Sequence, residues 1–260
     1  MPLIGRTKTR TGEAPASLSQ VEFSRRVALA REVVAEPPAR PKIRHTLAEA
    51  RVVVEPLLRL FRNMDIAPTD DPRTVMMLPG FATHPVRLKY MAEQIERAGH
   101  KVKRWGMGFN FGPTPENVAF LEERLVDIHQ RYGRNVVLVG WSLGGLFARE
   151  LAKRHPDKVA KVITMGSPFS GDPRSNNAWR VYQFITGHRV DQPPIEGDVR
   201  EKPPVPTIAF WSARDGIVSA RSSCGKEAER DRAVALRCNH IGLSYSPECI
   251  RAVLRELEEV

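Results

Sequence analysis

From Arg73 onward the chain alternates between two periodicities. Residues 74–79 (TVMMLP) form an unbroken apolar run, which predicts a buried strand, and residues 85–100 (PVRLKYMAEQIERAGH) space their apolar positions three and four apart, which predicts a helix. The pattern then repeats. It predicts a strand over 101–110, a helix over 114–133 opened by Thr114 as cap, a strand over 135–140, a helix over 143–155 and a strand over 158–167. After an interruption it resumes with strands in VPTIAFWS (205–212) and AVALRC (233–238), then a terminal helix. Strands alternating with helices of about 10–15 residues build βαβ units, so the fold class is α/β, with a mostly parallel sheet flanked by helices. Ligands of such sheets bind beyond the carboxyl ends of the strands.

Two stretches depart from this rhythm. Residues 166–205 are broken by prolines and carry Phe169, Trp179, Tyr182, Phe184 and Ile185, apolar surface that fits a lid over the carboxyl edge of the sheet or simple packing onto the body. Residues 1–70 contain EPPARPK and no alternating strand, and read as an N-terminal extension ahead of a catalytic domain over 71–260. Within the extension Leu47, Ala50, Val54, Leu57, Leu58 and Phe61 fall at helical spacing, which predicts a helix docked on the body and kinked at Pro56.

Length and composition narrow the class. A chain of 260 residues with 42% hydrophobic and 27% charged residues folds around a sizeable core, which excludes wholesale disorder. No apolar run approaches the ~18 residues of a spanning helix, and the first residues lack the apolar core of a secretory signal, so the expected location is the cytoplasm. The net charge is +10, of which +6 lies in residues 1–63. That weighting assigns the excess to docking, solubility or peripheral membrane contact through the extension; no nucleic-acid partner is expected. Cys224, Cys238 and Cys249 are too few for a disulfide framework, although a Cys224–Cys238 bridge is open to them, and with His240 they lack the paired spacing of a zinc site. No metal or cofactor is expected.

The chemistry concentrates where the strand NVVLV runs into Gly140-Trp141-Ser142-Leu143-Gly144-Gly145 and then a helix. A G-x-S-x-G turn in strand–turn–helix context exposes a serine hydroxyl at a helix's positive end, with glycines where the backbones nearly touch. A serine needs a base oriented by a carboxylate. His155 ends the nucleophile's own helix and His188 lies in the insertion, which leaves His240 as the base. Asp215, directly after the strand in VPTIAF, is the candidate acid; Asp172, Asp191, Asp198 and Asp231 would each need an unusual loop path. Two backbone amides should hold the oxyanion, those of Leu143 and of Phe81 in the loop LPGFATH. Trp141, His84 and Phe169 are candidate substrate-contacting residues, with His84 more readily read as a loop or capping residue.

These motifs, together with the run W-G-x-G-x-N-x-G over 105–112, M-G-S-P-F over 165–169, D-G-I-V and H-I-G-L, resemble the α/β-hydrolase superfamily and its small bacterial esterase- and lipase-like members across residues 73–260. The resemblance implies cleavage of a small-molecule or lipid carboxylic ester through an acyl-enzyme, with Ser142 as nucleophile, Asp215 and His240 completing the triad and Phe81 and Leu143 as oxyanion donors. Acyl transfer or thioester hydrolysis by the same residues is the alternative, as is a non-catalytic scaffold that uses its basic extension to bind a membrane or partner. Oligomeric state is not legible.

Overall fold

The run TVMMLP forms β1 (Thr74–Leu78), and every residue of it is buried, since a parallel strand covered on both faces has no polar side. The computed structural model describes residues 19–54, 64–195 and 197–260. Its other strands are β2 (Lys101–Arg104), β3 (Val136–Trp141), β4 (Val159–Met165), β5 (Thr207–Ser212) and β6 (Arg232–Leu236). The sheet order is β2-β1-β3-β4-β5-β6, and each neighbouring pair is parallel. Among the described residues the helices are α1 (Gln20–Ala30), α2 (Ile43–Ala48), α3 (Lys89–Arg97), α4 (Pro115–Tyr132), α5 (Leu143–Arg154), α6 (Trp179–Thr186), α7 (Ala220–Cys224) and α8 (Pro247–Glu258).

Alternation along each strand sorts the core into two layers. Val75, Met77, Val137, Val139 and Ile163 face one way, against Met91 and Ile95 of α3 and Ile250, Val253 and Leu257 of α8. Met76, Leu78, Leu138 and Val162 face the other, against Leu121 and Leu125 of α4 and Phe147 and Leu151 of α5. Each of these side chains contributes about 1.5–3 kcal/mol by leaving water. Among the described residues no helix is long and apolar enough to cross a membrane.

Two expectations change, and one pairing left open by the sequence is decided. The strand predicted over 101–110 stops at Arg104, because Gly106 turns at φ 94° into a loop built around the buried Asn110. The Cys224–Cys238 bridge does not form: all three thiols are free, with Cys224 beside Arg230 at the end of α7 and Cys238 leading into the His240 loop. Finally, the segment after residue 42 is not one amphipathic helix; α2 passes into a 3₁₀ turn over Glu49–Val54. A tighter turn has a period of three, so the expected apolar face is lost. Leu47 and Ala50 are exposed, whereas Glu49 is buried. Pro56, Leu57, Leu58 and Phe61 lie outside the described residues.

Residues 19–54 pack against two parts of the body. α1 lies on α6, inside the 166–206 connection: Arg26 donates to the Ile185 carbonyl (2.5 Å), Arg180 to those of Ala30 and Glu32, and Gln183 to that of Leu29. Phe23 meets Phe184 edge-on. Of the arginines of α1, Arg26 takes part in docking, whereas the pairs of Arg25 and Arg26 with Glu22 stay within the helix. α2 and the following turn reach the loops at the carboxyl ends of β5 and β6.

Candidate active site

Ser142 sits between β3 and α5 at φ 53°, ψ −122°, a conformation that costs a non-glycine residue about 1–3 kcal/mol and persists only when its surroundings enforce it. The surroundings are backbone. The Ser142 amide donates to the Met165 carbonyl (2.8 Å), and the Gly145 amide donates to the Ser142 carbonyl (3.0 Å). A Cβ on Gly140 would lie 2.4 Å from the Gly144 carbonyl oxygen, and one on Gly144 would lie 2.2 Å from that of Leu78. Strand, elbow and helix approach so closely that only hydrogen fits, which is the packing that aims the serine at the cavity above.

Asp215 and His240 come from the loops after β5 and β6 and meet in a buried pair, with His240 Nδ1 2.6 Å from Asp215 Oδ2. Asp215 spends its other oxygen on its own loop, accepting from the Ile217 (2.8 Å) and Val218 (2.7 Å) amides. The carboxylate is thus fixed before it meets the imidazole. Burial alone pushes the His240 pKa down, but the charge and hydrogen bond of Asp215, joined by the charge of Glu49, outweigh it and leave the pKa raised. Because Nδ1 faces a carboxylate, it carries the proton, and Nε2 is left with a free lone pair. Trp141, next to the serine, donates its indole N–H to the His240 carbonyl (3.1 Å) and so joins the His240 loop to the elbow.

The loop after β1 also holds strain. Ala82 has φ 54°, and its amide donates to the Asn110 carbonyl (2.7 Å), while the Asn110 amide returns a bond to Thr83 (3.1 Å). The Asn110 side chain donates to the Pro79 carbonyl (2.7 Å) and accepts from the Gly112 amide (3.1 Å). Among the described residues the Phe81 amide donates to no backbone group, and the Leu143 amide, at the first position of α5, has no intrahelical acceptor. Asn110→Ala is expected to cost about 2 kcal/mol, since it strands a buried carbonyl and a buried amide. Thermal unfolding measures this; an unchanged midpoint would show that the clamp contributes nothing.

Phe81, Ser142 and Leu143 open onto a cavity of about 730 Å³, whose apolar lining includes Leu146, Phe169, Trp179, Tyr182, Ile195 and Val218. Phe169 is on that wall, its ring under the Arg149 guanidinium. His84 is not among the lining residues: it caps the 3₁₀ turn Pro85–Leu88 through Nδ1 and packs on Phe109. Trp141 is likewise packed below the cavity rather than lining it.

Four further residues shape the surroundings of the site. Asn110 gave a faint signal in the sequence, a polar residue bracketed by glycines. Gly166, at φ 61°, leaves room beside the His240–Asp215 pair, since a Cβ there would approach both at 3.1 Å. Arg149, wholly buried, donates to the carbonyls of Val199, Arg200, Glu201 and Glu229 and ties one cavity wall to α5. Glu49 touches both loops of the Asp215–His240 pair.

A parallel sheet with a serine turn after its central strand and an acid and a histidine on the loops after the last two is the α/β-hydrolase arrangement. A family model described as the alpha/beta hydrolase fold matches residues 74–187, and the chain has that fold. Among curated relatives, 67 residues are 48% identical to a pimeloyl-(acyl-carrier protein) methyl ester esterase of Aromatoleum aromaticum, covering 26% of this chain and 27% of that one. A further 68-residue match, 38% identical, is to the protein of the same name from Vibrio cholerae and covers 26% of each chain. The matched segments span about a quarter of the length of these relatives. The solved structure of the mature Bacillus licheniformis lipase BlEst2 superposes with a TM-score of 0.56 at 15% identity, over 75% of this chain and 96% of that one, and so shares the fold.

Proposed function

We propose that the protein hydrolyses carboxylic esters with an apolar acyl group, through an acyl-enzyme on Ser142. The observation that carries this reading is the strained Ser142 opening onto an apolar cavity, with a buried His240–Asp215 pair whose loop is tied to the elbow through the Trp141 indole. The naming of two relatives as esterases supports it.

The steps follow from the atoms. His240 Nε2 takes the Ser142 hydroxyl proton as Oγ attacks the ester carbonyl carbon, and the Phe81 and Leu143 amides receive the oxyanion. The imidazolium, stabilised by Asp215, returns the proton to the departing alkoxide as the C–O bond breaks. A water then repeats the sequence on the acyl-enzyme, losing its proton to His240 and releasing the carboxylic acid and the free serine. The 166–206 connection acts as a lid in this reading, and its apolar side chains hold the acyl chain out of water.

A series of p-nitrophenyl esters from acetate to palmitate tests the proposal. Turnover should rise from acetate to chains that fill the cavity, and kcat/KM should fall as the pH drops through a His240 pKa above the ordinary histidine value, because the protonated ring cannot accept the serine proton. Activity confined to acetate would remove the acyl cavity from the mechanism, and an acid limb below the ordinary histidine range would contradict the Asp215–His240 electrostatics.

A further inference from the structure

Glu49 is 6% exposed and lies in the segment ahead of the hydrolase fold. Its Oε1 accepts from the Gly216 (2.9 Å) and His240 (2.8 Å) amides, and its Oε2 from the Ile241 amide (2.9 Å). Gly216 follows the acid Asp215, and His240 is the base itself. One carboxylate therefore bridges the two loops whose separation sets the Asp215–His240 contact. We propose that Glu49 is a positioning residue, supplied by the N-terminal segment to hold the catalytic acid and base in register.

The rest of the segment is seated to deliver that carboxylate. Thr46 donates its hydroxyl to the Gly216 carbonyl (2.7 Å), and Asn177, from the proposed lid, donates to both that carbonyl and the Thr46 hydroxyl. Asn239, beside the base, donates to the Ala48 carbonyl (3.2 Å). A Cβ on Gly216 would lie 2.3 Å from the His45 carbonyl oxygen, so the glycine of the D-G-I-V motif is where the extension's backbone lies against the acid's loop. Three amide donors on one buried side chain call for an acceptor-only group, which a carboxylate is and an amide is not.

The charge matters as well as the bonds. The titratable groups around His240 are Asp215, on the loop after β5, Glu49, from the extension, and the Cys238 thiol, which burial pushes up to about 11 and keeps neutral. Glu49 adds a second negative charge favouring the imidazolium that forms as Ser142 attacks. It never touches substrate; it acts through the base.

The test uses the full chain and rests on the serine-hydrolase reading. Glu49→Gln keeps the volume but removes the charge and turns an N–H toward an amide. It should slow labelling by a fluorophosphonate and lower kcat by roughly ten- to a hundredfold, the usual cost of losing an outer hydrogen-bond partner of a reactive group, with KM little changed. Its acid limb should move to lower pH, which a merely structural defect would not cause. Glu49→Asp should recover part of the rate. Circular dichroism confirms that each variant is folded; if Glu49→Ala unfolds, the isosteric glutamine variant still decides. Wild-type labelling rates with an unmoved acid limb in Glu49→Gln would overturn the proposal while leaving the hydrolase reading intact. Failure of the wild type itself to label would overturn both.

Discussion

Ser142→Ala should abolish covalent labelling by a fluorophosphonate and lower kcat/KM for the best p-nitrophenyl ester by roughly 10⁴–10⁶, the range for loss of a triad nucleophile. The loss should leave the fold untouched. Alanine cannot relieve the φ of 53° at this turn, because the elbow is enforced by the Ser142–Met165 and Gly145–Ser142 backbone bonds rather than by the hydroxyl. The thermal midpoint should stay near that of the wild type, and the residual rate should be what the oxyanion amides and the cavity supply. More than a tenth of wild-type activity in the alanine variant would show that another group performs the attack.

Gly144→Ala should act the other way, on the fold before the chemistry. Its methyl would sit 2.2 Å from the Leu78 carbonyl oxygen and 2.7 Å from that of Pro79, both backbone atoms that no rotamer change can move. Relief requires α5 to lift from β1, opening the layer in which Leu78 and Phe147 pack. We expect a loss of about 3–5 kcal/mol, a large share of the 5–15 kcal/mol that stabilises a typical domain. For a chain of this size that lowers the thermal midpoint by about 10 °C, readable by calorimetry. A midpoint within 2 °C of the wild type would mean that the elbow tolerates a wider approach than its geometry implies.

These two predictions mark the parts of the protein that were legible along the chain. The elbow and its glycines are contiguous, and a tight turn imposes its residue types whatever lies around it. The alternation of buried strands and amphipathic helices was equally local, since the periods of two and 3.6 are properties of single elements. The meeting of His240 and Asp215 was reachable because chain order in a parallel sheet translates into position along its carboxyl edge.

Where the sequence reading failed, the cause was an interaction between distant segments. The extension looked like an amphipathic helix with an apolar face, yet Leu47 lies exposed and Glu49 is buried, because what seats this segment is the row of amides at Gly216, His240 and Ile241. Nothing near residue 49 in sequence advertises those donors, which are 167 to 192 positions away. Arg149 and Asn110 were missed for the same reason: each satisfies backbone groups of loops far along the chain.

By itself the sequence determined the parallel α/β sheet, the turn that strains a serine, and the order of candidate nucleophile, acid and base, all of which follow from local periodicity and from steric demands between neighbours. Only the tertiary structure decided what holds the loops that carry them. The Glu49 carboxylate behind His240, the Asn110 amide under the Phe81 loop and the Arg149 guanidinium at the cavity wall answer to backbone groups of distant loops. Those groups come together only once the chain has folded, and burying them unpaired would cost more than the side chains needed to meet them.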